Sequence, residues 1–309
     1  MHFAQTDGPR GFLWKYALTY LAATVLMAGI AYLLFQPVAG ALFDAMVKAA
    51  QGAGDSEIEA TLTRELTSLA GRIVMSYISL LILGALFWAV FEASIQRRYV
   101  REEGFRIGLG GDELRLLVVG LLWVMFMIAS FILTMILTAV LAGFLTISTD
   151  QPVVLGVGVP AIALLPAMAW VYFAVRLAPA SAMTIRDRKI HFLGAWGATK
   201  RRAIPLFFSY LVLSIVFWVV FIIAYMAGAA AMVGTFFAMA GDPQALENDP
   251  VRLIGYIMQG RFLFPLIGFY AVMLLMQGLF FYVWSGPAAL AAKTDPRGGG
   301  ITQAPDVFA

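Results

Sequence analysis

The sequence predicts an all-α, polytopic integral membrane helix bundle. Three observations carry this. Of 309 residues 61% are apolar and only 13% are charged, about half the usual ~25% of a soluble domain. The 21 basic and 18 acidic residues are too few to cover a water-exposed surface. Six uncharged runs have the length of membrane spans: Tyr16–Phe43, Ile73–Phe91, Leu116–Thr149, Gln151–Val175, Ala203–Gly241 and Phe262–Ala292.

A span needs ~20 residues rising 1.5 Å each. Extended to their polar flanks, the six runs predict helices near 14–43, 70–95, 114–147, 151–177, 203–240 and 260–290, in one membrane domain over 1–292. Residues 293–309 read as a short cytoplasmic tail. The fifth run is 39 residues long with no Pro, Asn or Asp in its middle. One long helix is therefore expected there, projecting past the bilayer or bending along it, rather than two spans. Met232, Phe236, Phe237 and Met239 would then cover an apolar neighbour. The fourth run carries Gly156, Gly158, Pro160 and Pro166, which suit a kinked, closely packed helix better than a broken one.

Lys and Arg sort by side. With the N-terminus inside, sixteen of the 21 fall on cytoplasmic segments and five outside, at Lys48, Arg64, Arg72, Arg252 and Arg261. This positive-inside bias predicts both termini in the cytoplasm. The outer loops are acidic, with Asp55, Glu57, Glu59 and Glu65, then Asp150, then Asp242, Glu247 and Asp249. The first apolar run exceeds a signal peptide's core, so its span is expected to persist. Three stretches, FWAVFEAS (Phe87–Ser94), YFAVRLAP (Tyr172–Pro179) and FFYVWSGP (Phe280–Pro287), are alike enough to raise three related hairpins.

Chemistry-bearing patterns are scarce. There is no Cys and only His2 and His191, so no catalytic, cofactor-binding or metal residue is assigned. The six runs hold no Asp, Glu, Lys, Arg or His. Glu92 and Arg176, at their inner edges, are expected to snorkel to the headgroups, as are Asp44 and Arg72 at the outer ones. GLGGDE (Gly108–Glu113) resembles a phosphate loop only superficially; Asp112 and Glu113 read as acids of a first helical turn. The pI near 9.2 comes with a net charge of only +3 and basic residues confined to loops, which argues against nucleic acid. The richest segment is Arg176–Arg202. Its Arg176, Arg186, Arg188, Lys189, Lys200, Arg201 and Arg202, with Trp196, suit either an interfacial amphipathic helix that faces anionic phospholipid or a protein partner, or the positive-inside bias alone. Its apolar stripe would be Ile190, Phe192, Leu193 and Trp196.

The segments IGLGGDELRLLVVGLLW (Ile107–Trp123), RLAPASAMTIRDRKIHFLGAWGATK (Arg176–Lys200), YVWSGPAAL (Tyr282–Leu290) and PRGFLWKY (Pro9–Tyr16) resemble a family of six-helix bacterial membrane proteins. That family is similar to the membrane domain of glycerophosphoryl diester phosphodiesterases, and most of its members have no assigned activity. The acidic metal ligands and histidines of the phosphodiesterase domain have no counterpart here. The sequence departs from the family after GAWGATK, where Arg201-Arg202-Ala203 stands for a glycine and an aromatic. The resemblance implies a bacterial inner-membrane protein without phosphodiesterase activity.

Three functions follow. The residues favour a non-enzymatic scaffold or accessory protein that binds membrane or cytosolic partners, or anionic lipid, through basic cytoplasmic loops. A permease or carrier for an apolar or amphipathic molecule would use the long third and fifth helices and the Gly/Pro-bearing fourth. A membrane enzyme would need polar groups converging at one interface.

Overall fold

A computed structural model describes residues 10–50, 54–148, 152–240 and 260–295. Nine helices are described: α1 Phe12–Ala50, α2 Asp55–Arg101, α3 Gly111–Ser148, α4 Pro152–Leu177, α5 Ala180–Asp187, α6 Ala195–Ala198, α7 Ala203–Ala240, α8 Gly260–Trp284 and α9 Gly286–Lys293. No strand occurs among the described residues. Six helical stretches are long and apolar enough to cross a bilayer. The chain is a multi-pass integral membrane protein.

Helix lengths exceed what a span requires. The 38 residues of α7 rise ~57 Å against a hydrocarbon core of ~30 Å. This helix is continuous, so the long fifth run forms one helix and not two. The side chains of Phe236, Phe237 and Met239, from which contacts are expected, lie outside the described part of the structure, as do the residues Asp150, Asp242, Glu247 and Asp249. The fourth run is likewise one uninterrupted helix from Pro152 to Leu177. A Cβ added at Gly158 would meet Leu145 of α3 at 2.6 Å, so this glycine serves close packing.

Two elements depart from expectation. Residues 55–69, expected as an outer loop, belong to α2. The stretch DSEIEATLTRELTSLA is rich in strong helix formers and has no Pro or Gly before Gly71. The sixth span breaks at Ser285, where α8 ends and α9 begins with Pro287 in its first turn. Proline lacks the N–H that would continue the helix and is well suited to starting a new one. The related stretches agree with this. After Pro179 the chain starts the eight-residue α5, and α9 at Pro287 also has eight residues. Where the stretch Phe87–Ser94 has Ser94 instead of proline, α2 runs on to Arg101.

The helices divide into two compact units. The first holds the end of α2 from Trp88, then α3 to α6, the start of α7 up to Ser214, and the last residues from Tyr282. Ala89, Ala93, Leu116 and Ile185 form its core, with Trp88, Val100 and Leu117 packed around them. Small residues allow the tight approach: a Cβ at Gly120 would stand 2.7 Å from the Trp88 ring. Helices α5 and α9, largely buried, pack on each other. Tyr99 stacks on Tyr282 at 4.9 Å and donates its hydroxyl to the Tyr282 carbonyl at 3.1 Å.

The second unit comprises Leu13–Phe87 and Ile215–Phe281. Its joints are aromatic rings packed against one another and against glycine. Phe217 stacks on Phe280 at 3.8 Å, and Tyr20 meets Phe87 edge-on at 5.4 Å. Gly228 faces the Phe269 ring so closely that a Cβ would lie 2.1 Å from it. The buried hydroxyl of Ser76 donates to the Leu34 carbonyl at 3.2 Å, tying α2 to α1.

Candidate functional site

The charged residues of the first unit fall into three groups. The basic segment 176–202 is not one amphipathic helix. It folds as the end of α4, then α5, then turns around the four-residue α6. Residues Ala180 to Ile185 of α5 are buried, so this helix is a core element. The predicted stripe splits accordingly. Phe192 is half-buried and edge-on to Trp123 at 5.7 Å, whereas Ile190 and Leu193 are exposed.

Three of the seven predicted cations are taken up by the fold. Arg176 is buried, lies 4.2 Å over the Trp196 ring and donates to the Thr199 carbonyl at 2.9 Å. The Thr199 hydroxyl lies within hydrogen-bond distance of the Arg176, Ala195 and Trp196 carbonyls. Arg186 pairs with Asp187 at 2.7 Å and donates to the Ala292 carbonyl. Arg202 donates to the Thr294 hydroxyl. Arg176 therefore does not snorkel: in a buried setting a guanidinium is held by carbonyls and an aromatic face instead of water. Arg188, Lys189, Lys200 and Arg201 are exposed and make no ion pair among the described residues. Trp196 is 37% exposed.

Glu92 does not snorkel either. It is 6% exposed. Gln96 donates to it at 2.8 Å, Ser285 at 3.3 Å, and Ser181 supplies a further hydrogen bond. A carboxyl one residue past an apolar run is thus enclosed by protein. Burying such a group is tolerated when hydroxyl and amide partners surround it.

The third group escaped the sequence reading. The end of α2, the turn 102–110, the first turn of α3 and Arg188 enclose a polar cleft of about 320 Å³. Arg97 bonds Glu113 at 2.6 Å and the Arg106 carbonyl at 3.1 Å. Arg101 bonds Asp112 at 2.8 Å and donates to the Ile185 carbonyl. Arg115 reaches Asp112 at 3.1 Å, and Glu103 stands 3.6 Å from Arg101 and 3.9 Å from Arg97. Glu113 also accepts the Gly110 N–H at 2.9 Å, and both acids lie in the first turn of α3 as expected. The missed signal was Arg97 and Arg101 one turn apart on α2, facing Asp112-Glu113 across the turn.

A second recess, of about 380 Å³, is almost wholly apolar and lies between α4 and α7. Leu164, Met168 and Tyr172 line one side, with Ile204 and Phe207 on the other. Among the described residues no three His, Asp or Glu side chains are arranged to hold a metal ion.

The chain matches no protein-family model, no curated protein and no solved structure. Function therefore rests on the geometry of these groups. Forked guanidinium donors suit phosphate and carboxylate groups, which they hold through paired hydrogen bonds. An apolar recess on a membrane-facing helix pair suits an acyl chain or an apolar solute.

Proposed function

We propose that this is a non-enzymatic protein of a bacterial inner membrane, with both termini cytoplasmic, that holds anionic phospholipid at the basic face of its first unit. One observation carries the reading. In segment 176–202 the cations that the fold needs are buried or bonded, while Lys189, Lys200 and Arg201 remain exposed without an acidic partner among the described residues. Each such cation near an anionic surface contributes ~1 kcal/mol. The buried acids Glu92 and Glu113 are engaged by hydroxyl, amide and guanidinium donors, which favours a structural use of them over acid–base chemistry. The resemblance to the membrane region of glycerophosphoryl diester phosphodiesterases belongs to the same proposal.

The test joins topology to lipid retention. Cysteine at Ser56 should react with an impermeant thiol reagent in intact cells, and cysteine at Lys189 should not. Lys189→Gln, Lys200→Gln and Arg201→Gln together should reduce the phosphatidylglycerol that co-purifies, most clearly at low salt. Unchanged lipid with unchanged labelling would reject the proposal. The recess between α4 and α7 favours a second reading, a carrier for an apolar molecule. Uptake of such a molecule by protein-loaded vesicles, blocked by Ala167→Trp in the recess wall, would favour that one.

A further inference from the structure

We infer that the polar cleft between α2 and α3 is a binding site for a phosphate group, held by Arg106 and Arg188. The inference goes beyond the proposed lipid surface, because Lys189, Lys200 and Arg201 take no part in it.

Charge balance is the first argument. Five arginines line the cleft, with only three acids. Arg97, Arg101 and Arg115 share Glu103, Asp112 and Glu113 in contacts of 2.6–3.9 Å. These three cations and three acids balance. Arg106 and Arg188 also line the cleft, and neither side chain has an ion pair among the described residues. Two positive charges are therefore left over in a concave, largely polar space, where an anion of one or two charges would complete the balance.

Shape is the second. Two guanidinium forks can each give a phosphate paired hydrogen bonds. Gly108, Gly110 and Gly111 form part of the wall, so no side chain of theirs takes up room in the cleft. At Gly111 a Cβ would stand 3.4 Å from the Arg115 guanidinium.

Backbone conformation is the third. Arg188 sits at φ 53 and ψ 30, left-handed, as the C-cap of α5. Glycine is the usual residue there. An arginine held in this conformation beside a surplus of cations points to a role for its side chain.

Leu109 in the cleft wall, with Ile107 and Leu114 near it in sequence, is exposed by 68%, and those two by 41% and 61%. Such a rim fits the phosphate of a lipid headgroup, and the cleft is also large enough for a soluble phosphate. The experiment separates these sources. In one arm the protein in phosphatidylcholine nanodiscs is titrated with inorganic phosphate and followed by ³¹P NMR. In the other, enrichment of phosphatidylglycerol over phosphatidylcholine is read by native mass spectrometry.

Arg106→Gln with Arg188→Asn, in which asparagine tolerates the left-handed backbone, should weaken binding at least tenfold in whichever arm shows it. Loss in the phosphate arm identifies a soluble ligand, and loss in the lipid arm alone identifies a headgroup. Glu103→Gln, which removes one acid from the cleft, should tighten the same binding several-fold and guards against a variant that merely unfolds. The site is overturned if neither arm shows binding, or if the arginine pair leaves it unchanged. It is also overturned if Lys189→Gln, Lys200→Gln and Arg201→Gln abolish it equally; that result would leave the proposed lipid surface standing without the cleft.

Discussion

The Arg176 guanidinium lies 4.2 Å from the centre of the Trp196 ring, and the backbone three residues beyond that ring accepts its hydrogen bond. A cation at the end of a membrane helix is thereby locked to the segment that follows. Tyr172 and Phe173 pack on the same indole at 5.8 and 5.5 Å. Trp196→Ala should remove ~1–2 kcal/mol of stability, read as a lower thermal midpoint in detergent. Trp196→Phe should recover part of it. A midpoint unchanged in Trp196→Ala would show that the contact is incidental.

Glu92 offers a sharper contrast. Glu92→Leu leaves Gln96, Ser181 and Ser285 without their shared acceptor, and a buried donor left unpaired costs ~1–3 kcal/mol. Ser285→Ala removes only one of the donors, the longer contact at 3.3 Å, and should cost less than ~1.5 kcal/mol. Equal losses in the two variants, measured by the same unfolding assay, would contradict the network.

In the second unit the contact of Gly228 with Phe269 predicts overpacking. Gly228→Ala should cost ~1–3 kcal/mol, because its Cβ would fall 2.1 Å from two ring carbons. Gly234 on the same helix has open space beyond it, so Gly234→Ala should be neutral or mildly stabilising. Comparable destabilisation by both would mean that α7 resists any side chain along its length.

Glu102 accepts from Lys293 at 2.6 Å. That hydrogen bond, and then the lysine's charge, hold the Glu102 carboxyl below its ordinary range, with Arg98 adding a smaller pull in the same direction. A lowered carboxylate contributes stability above its unfolded pKa and loses it as the pH falls through the folded one. The pair is solvent-exposed, so the effect is small, below ~1 kcal/mol. Glu102→Gln should lower the thermal midpoint slightly at pH 7 and leave it unchanged near pH 3. The same decrease at both pH values would assign the effect to packing.

The spans were legible because apolar length alone decides them; the 39-residue run needed only the absence of a turn residue in its middle. Partners were not legible. Counting uncharged residues ends a run at Phe91, so Glu92 looked shallow, although Ser285 reaches it from the far end of the chain. The segment 176–202 read as one amphipathic face because its cations and aromatics alternate. Arg176 and Arg186 instead find carbonyl acceptors at Thr199 and Ala292, and α5 becomes core. The cleft was hidden for the same reason. Arg97 and Glu113 are sixteen residues apart, and only the connection 102–110 between α2 and α3 brings them together.

Glu102, Arg188 and Arg201 all adopt left-handed backbone angles, at φ 56, 53 and 65, where glycine would sit without steric penalty. Selection for yield and selection for biological performance should consequently diverge at these positions. A mutant library screened only for surviving detergent extraction should drift toward glycine at all three. One screened for performance in living cells should keep arginine at 188 and 201, and the difference between the two sequence profiles would mark the side chains that the backbone is strained to present.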